Sequence, residues 1–373
     1  MDFSLIVIVV ILASLAFDFT NGFHDTANAM ATSIATGALK PRVAVSISAV
    51  LNLVGAFLSI QVAKTISGGL VNEAKITPVV IFAGLAGAIV WNLLTWLFGL
   101  PSSSSHALFG GLIGATWIAA GASAVNFTQV VQKVLIPAVA SPLLAGFVAM
   151  IGTVMVYKIT AALRQDVVSK SFKTGQVLSA SLVSLAHGTN DAQKTMGVIT
   201  LTLITSGSLA PGSSPPLWVI LASGLAIAAG TYSGGWRIIQ TAGKKITDIR
   251  TPQGFAAETS SAVTILASSH LGFALSTTRV TSGGIIGSGI GRKLAEVRWG
   301  VAGRMAVAWL LTLPATALVG AVASKVSSWG TAGTTLVGVL LVVVALGIYL
   351  WSRRSPVTPD DVTESAAPAA AIA

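Results

Sequence analysis

About twelve apolar stretches follow one another along the chain, at 3–17, 21–36, 43–62, 79–98, 102–120, 134–157, 177–206, 217–235, 255–274, 276–290, 299–323 and 331–352. Most approach the roughly 20 residues that carry a helix across a bilayer. Soluble domains carry roughly 25% charged residues, whereas here 9% are charged and 53% hydrophobic. That leaves too little polar surface to cover a water-soluble core, so lipid must be the solvent. The runs lack the alternating ten-residue pattern of a membrane barrel, and a backbone in hydrocarbon must satisfy its own hydrogen bonds. The chain therefore predicts an all-α integral membrane protein. Segments 102–120 and 276–290 are short or polar at one end and read as re-entrant-like helices.

The formal charge is +10, and it sits between the apolar runs, in clusters such as Arg237, Lys244, Lys245 and Arg250, then Arg292, Lys293, Arg298 and Arg304. Charge placed this way is loop charge of the positive-inside kind. No soluble basic face interleaved with aromatics is present, so a nucleic-acid partner is not expected. The absence of cysteine excludes disulfides, thiol nucleophiles and thiolate metal sites. The stretch from Met1 to Phe17 has only Asp2 ahead of its apolar run and reads as a retained first helix rather than a signal peptide. Residues 353–373, rich in Ala and Pro and carrying Asp360, Asp361 and Glu364, read as a disordered tail.

An internal duplication organises the rest. Gly22-Phe23-His24-Asp25 aligns with Gly188-Thr189-Asn190-Asp191, and Met30 with Met196. A second pair follows: Ser103-Ser104-Ser105-His106 matches Ser276-Thr277-Thr278-Arg279, and Gly110-Gly111-Leu112-Ile113-Gly114 matches Gly283-Gly284-Ile285-Ile286-Gly287. With the basic loops 158–175 and 236–254 inside and the neutral loop 207–216 outside, the loops after the two Asp motifs fall on opposite sides. The expected organisation is membrane repeat 1 over 1–157, a short cytoplasmic loop at 158–176, and repeat 2 with a final helix over 177–352. Two inverted-topology repeats with broken helices put a site where they meet near the midplane, as in secondary transporters.

The first motif crowds Asp18, Thr20, Asn21, His24, Asp25, Thr26 and Asn28 into an apolar segment; the second brings His187, Thr189, Asn190, Asp191, Gln193, Lys194 and Thr195. An ionisable group at bilayer depth costs about 2.5–3.5 kcal/mol on insertion scales and normally faces a polar cavity or partner. A single copy reads equally well as a solvated helix cap; its recurrence favours a site. Glycines that break the backbone would free amide N–H groups for an anion and carbonyls for a cation. Asp25 and Asp191, with Asn28 and Asn190, offer oxygen ligands for Na⁺ or proton acceptors, and Glu258 is a further intramembrane carboxylate. Two carboxylates alone would repel an anion, and a bound cation or proton removes that repulsion.

Ser103, Ser104 and Ser105, and Ser276, Thr277 and Thr278, supply neutral donors that hold a tetrahedral oxyanion weakly enough to release it. The plain alternative is N-capping or packing between helices. His24 and His106 are candidate proton relays. Lys194 and Thr195 complete the candidate substrate set, with Lys194 placed to pair with Asp191 or with the anion. Arg279 would face the anion, pair with Glu258 or snorkel to an interface. Trp91, Trp96, Trp299 and Trp351 read as interfacial belt residues. No Gly-x-x-x-x-Gly-Lys-Ser/Thr loop occurs, so direct ATP drive is not expected. A passive small-anion channel is the main rival in mechanism and sulfate the main rival as substrate. An enzymatic Ser102–His106 dyad lacks any oxyanion arrangement.

The motifs Gly22-Phe23-His24-Asp25-Thr26-Ala27-Asn28-Ala29, Gly188-Thr189-Asn190-Asp191-Ala192-Gln193-Lys194, Pro101 to His106 and Ser276-Thr277-Thr278 resemble the duplicated signatures of the inorganic phosphate transporter family. The resemblance runs from Asp18 to about residue 323. It implies cation-coupled (H⁺ or Na⁺) phosphate symport in the cell membrane, no cofactor, a homodimer, and carriage of phosphate alone or as a metal complex. It also implies substrate and cation contacts from Asp25, Asn28, Asn190, Asp191 and the hydroxyl clusters. His24 stands where the family often has Asn, similar to its bacterial low-affinity branch, and Arg279 where a His is common.

Overall fold

Helix starts follow the local chemistry: proline occupies the first turn at Pro41, Pro78 and Pro252, where its missing N–H costs nothing. The computed structural model describes residues 4–292 and 297–363; Asp2, Lys293 and the tail from 364 onward lie outside the described residues. The helices are α1 (Leu5–Ala35), α2 (Pro41–Gly55), α3 (Gln61–Gly69), α4 (Pro78–Leu97), α5 (Ser104–Ala120), α6 (Phe127–Ile159), α7 (Gln165–Thr205) and α8 (Leu217–Ser233). Then come α9 (Trp236–Lys245), α10 (Thr251–His270), α11 (Thr277–Arg292), α12 (Trp299–Ser327) and α13 (Thr331–Ser352). Among the described residues there is no strand, only one isolated bridge between Val71 and Val125.

Five helices (α1, α4, α6, α12 and α13) are long and apolar enough to cross a membrane, and α8 with α9, bent by 62°, makes up to six. Of the roughly twelve apolar segments expected, five or six are spans by length and hydropathy among the described residues. Helices α7, α10 and α11 carry their polar residues buried against other helices, which lowers their mean hydropathy. Exposed Leu143, Leu310 and Leu340 give α6, α12 and α13 the outer apolar surface that lipid requires.

Three expectations need correction. Helices α1 and α7 run unbroken through both Asp motifs. Gly22 and Gly188 are there for close approach: a methyl group on Gly22 would overlap the Ile227 carbonyl of α8, and one on Gly188 the Asn52 carbonyl of α2. The connecting loop expected at 158–176 is helical from Gln165, because Val168 and Gln176 are buried against neighbouring helices. The tail is folded as far as Thr363: Arg237 donates to the Ser352 and Ser355 carbonyls, Lys244 donates to the Asp361 carbonyl, and Val362 joins a buried cluster.

The glycine stripes set a crossed packing. Gly110 and Gly114 of α5 meet Leu313 and Ala317 of α12, whereas Gly283 and Gly287 of α11 meet Pro142 and Gly146 of α6. Each short helix is therefore clasped by a long helix distant in sequence. Gly111 touches Gly84 of α4 and Gly284 touches Ala257 of α10, closing two hairpins, α4–α5 and α10–α11. The hairpin tips are buried: Ser102 and Ser103 are fully covered and Leu275 and Ser276 nearly so. A buried loop must satisfy its polar groups internally, and these do so at one place.

Candidate substrate and cation site

The two tips meet where Ser105 Oγ donates to the Leu275 carbonyl at 3.0 Å. Both short helices begin here, so the positive ends of two helix dipoles point into the same volume. Register sorts the hydroxyls. Ser103 Oγ accepts from the His106 amide at 3.2 Å and Ser276 Oγ from the Arg279 amide at 3.3 Å, so these two cap their helices. Ser104, Ser105, Thr277 and Thr278, one and two positions on, face the motif carboxylates and their neighbours.

Ser104 Oγ lies 3.3 Å from Asp25 Oδ1, and Thr277 Oγ1 lies 3.5 Å from Asp25 Oδ2 and 3.2 Å from Asp191 Oδ2. One hydroxyl thus spans carboxylates from two helices, both nearly or wholly buried. Asn28 Nδ2 donates to Thr278 Oγ1 at 3.1 Å, and at the matching place in the second motif Lys194 Nζ donates to Ser105 Oγ at 2.5 Å. Lys194 also holds Asp191 Oδ1 at 2.5 Å and is completely buried. Burial of such a pair is tolerable only with this geometry, since each charge satisfies the other.

Each motif histidine sits against a motif carboxylate. Thr95 Oγ1 donates to the Trp91 carbonyl at 2.8 Å, so it accepts from His24 Nε2 at 3.0 Å. His24 Nδ1 then lies 2.6 Å from Asp25 Oδ1 with a proton between them. In the other half Asn52 Nδ2 donates to Thr231, and His187 bridges Asn52 Oδ1, 3.1 Å from its Nδ1, and Asp191 Oδ2, 3.3 Å from its Nε2. Ligand atoms of Asp25, His187 and Asp191 all lie within 4.8 Å of one another. Two carboxylates and an imidazole around one space, with a mixed oxygen and nitrogen character, suit a cation. In the sequence His187 reads only as part of the second motif, without a role of its own, although its spacing of four from Asp191 puts both on one helix face.

Other candidates lie elsewhere. Asn190 turns to Ser269 Oγ at 2.9 Å and the Phe273 carbonyl. Glu258 forms its own cluster, accepting from Thr32, from Gln176 Nε2 at 3.1 Å and from Ser179 Oγ at 2.5 Å. His106 engages Ser103 Oγ at 2.7 Å and packs edge-on to Phe109, away from the carboxylates. Thr195, one turn beyond Asp191, is buried beside Asp18. Arg279 faces neither the anion site nor Glu258: it donates to the Ala138 and Trp309 carbonyls at 3.3 and 2.6 Å and lies over the Trp309 ring. Trp91 is also turned inward, bonding Ser102 Oγ, whereas Trp299 and Trp351 are exposed. Two apolar grooves of about 900 and 860 Å³ open on the outer surface, and none of the motif carboxylates lines them.

Apolar helices around a buried cluster of carboxylates, hydroxyls and one ammonium define a multi-pass membrane transporter. Residues 21–320 match the phosphate transporter family. The chain belongs to that family. It is 57% identical over 360 residues to a probable low-affinity inorganic phosphate transporter of Mycobacterium bovis, covering 96% of this chain and 86% of the relative. To the Bacillus subtilis protein of the same description it is 43% identical, over 87% and 98% of the two chains. A solved structure described as the sodium-dependent phosphate transporter superposes with a TM-score of 0.79 at 25% identity, covering 87% of this chain and all of that one.

Proposed function

We propose that this chain is a cation-coupled symporter that moves inorganic phosphate across the cell membrane by alternating access between two inverted repeats. The observation that carries the reading is the meeting of Asp25 and Asp191 at the starts of α5 and α11. Lys194 permanently neutralises Asp191, and the proton shared by His24 and Asp25 neutralises the other carboxylate. The cluster is then balanced while empty, so an incoming phosphate anion needs a mobile cation beside it, and the space between Asp25, His187 and Asp191 offers the acceptors for one. Ser104, Ser105, Thr277, Thr278 and Asn28 donate to phosphate oxygens without trapping them.

The crossed packing supports inverted repeats, since α5 on α12 repeats α11 on α6 with matching glycines. Glu258 with Thr32 lies two helical turns along α1 from Asp25 and serves as a second coupling-ion contact on the access route. A homodimer, and phosphate carried as a metal complex, belong to the same proposal. Purified carrier in liposomes, with Na⁺ and pH gradients imposed separately, tests it. Accumulation of labelled phosphate under one gradient, with weaker counterflow of sulfate, is expected. Equal uptake with no gradient would show a passive channel and overturn the reading.

A further inference from the structure

Asp18 lies seven residues before Asp25 on α1, and the spacing 18, 21, 25, 28 puts Asp18, Asn21, Asp25 and Asn28 on one helix face. It is completely buried, and neither carboxylate oxygen has a hydrogen-bond partner. The Thr195 hydroxyl and the Asn21 side chain are the neutral polar groups beside it, both buried. The charged groups that face Asp18 are Asp191 and Lys194. Lys194 cannot serve it, being held at 2.5 Å by both Asp191 and Ser105.

Asp18 thus has only neutral polar neighbours within reach, a hydroxyl and an amide, and no cationic side chain of its own. A buried carboxylate in this position demands a positive counterpart. We infer that Asp18, Asn21 and Thr195 form a further monovalent-cation site, for Na⁺ or a proton, one step away from the central site. At 1.5 Å per residue, Asp18 and Asp25 are about 10 Å apart along the helix axis, so the sites are separate. They communicate through Asn21, whose Nδ2 donates to Asp191 Oδ2 at 3.4 Å while its Oδ1 is left for the Asp18 cation. The site has no twin: the position matching Asp18 in the second motif is Ser184, whose hydroxyl bonds the Ala180 carbonyl. Loading at Asp18 would orient Asn21 and thereby Asp191, giving a sequential route for the coupling ion.

The inference rests on the symport reading but is tested apart from it. Cation binding to the purified full-length protein is measured without phosphate, by equilibrium binding of radioactive Na⁺ and by proton uptake with a pH-sensitive dye. Asp18→Asn is expected to lose one bound cation per chain, with the dye or the radiolabel identifying which kind. In liposomes the same variant should lose at least tenfold in gradient-driven accumulation. Unchanged binding of both cations, or accumulation that stays at the wild-type level, would overturn it. Should Asp18→Asn fail to fold, Asp18→Glu decides: the count of cations should be unchanged and their affinity shifted, and an unshifted affinity refutes the site. If wild-type carrier accumulates nothing under either gradient, the symport reading fails while the binding counts still judge Asp18.

Discussion

The carboxylates of Asp25 and Asp191, 166 positions apart in the chain, bring oxygens within 4.8 Å of each other and share the hydroxyl of Thr277. Two helices and one hairpin tip must be in register for this, so the pair reports on the whole assembly as well as on transport.

Asp191→Asn removes the partner of a fully buried ammonium. Breaking a buried pair from one side costs about 3–5 kcal/mol, so both uptake and thermal stability in detergent should fall. Adding Lys194→Gln should restore much of the melting temperature and none of the transport. Recovery of uptake in the double variant would refute the role of Asp191.

His187→Phe keeps a ring in place but removes the nitrogens that face Asn52 and Asp191. The apparent affinity for the coupling cation should weaken by tenfold or more, with the KM for phosphate at saturating cation changed less than threefold. Initial-rate assays over cation concentration check this, and an effect on phosphate alone would contradict it.

Arg279→His deletes two bonds to helix carbonyls and a stacking contact with Trp309. Bonds to a charged donor contribute about 1.5–3 kcal/mol each. A lower melting temperature is expected, while the KM for phosphate in the folded fraction stays within twofold. A large rise in KM would return Arg279 to the anion site.

Gly188→Ala would drive a methyl group into the backbone of α2 at Asn52. Overpacking typically costs about 1–3 kcal/mol, and the shift of Asn52 would also release His187. Thermal unfolding together with cation affinity should register both effects. A variant as stable as wild type would mean that the helices are less tightly apposed.

The apolar stretches were legible as helices because burial in lipid needs only length and hydropathy, and the Asp motifs because their recurrence stands out in an apolar background. What stayed hidden depends on partners far away in sequence. Gly22 reads as a break until Ile227, on another helix, is seen against it. Ser103 and Ser104 are chemically identical, and only the helix register makes the first a cap and the second a ligand of Asp25. The partners of Arg279 are backbone carbonyls, which leave no mark on composition. His187 was readable from its spacing to Asp191, whereas its other partner, Asn52, is contributed by α2.

The clasp of α5 by α12 has a consequence for biosynthesis. Gly110 and Gly114 emerge from the ribosome about 200 residues before Leu313 and Ala317, and at about 5–20 residues per second that is a wait of roughly ten to forty seconds. During that interval the first half sits in the bilayer with its glycine stripe uncovered and its buried serines without their final neighbours. Neither half can mature alone, and the nascent chain depends on the insertion machinery or on lipid to shield a seam that only its own last third can close.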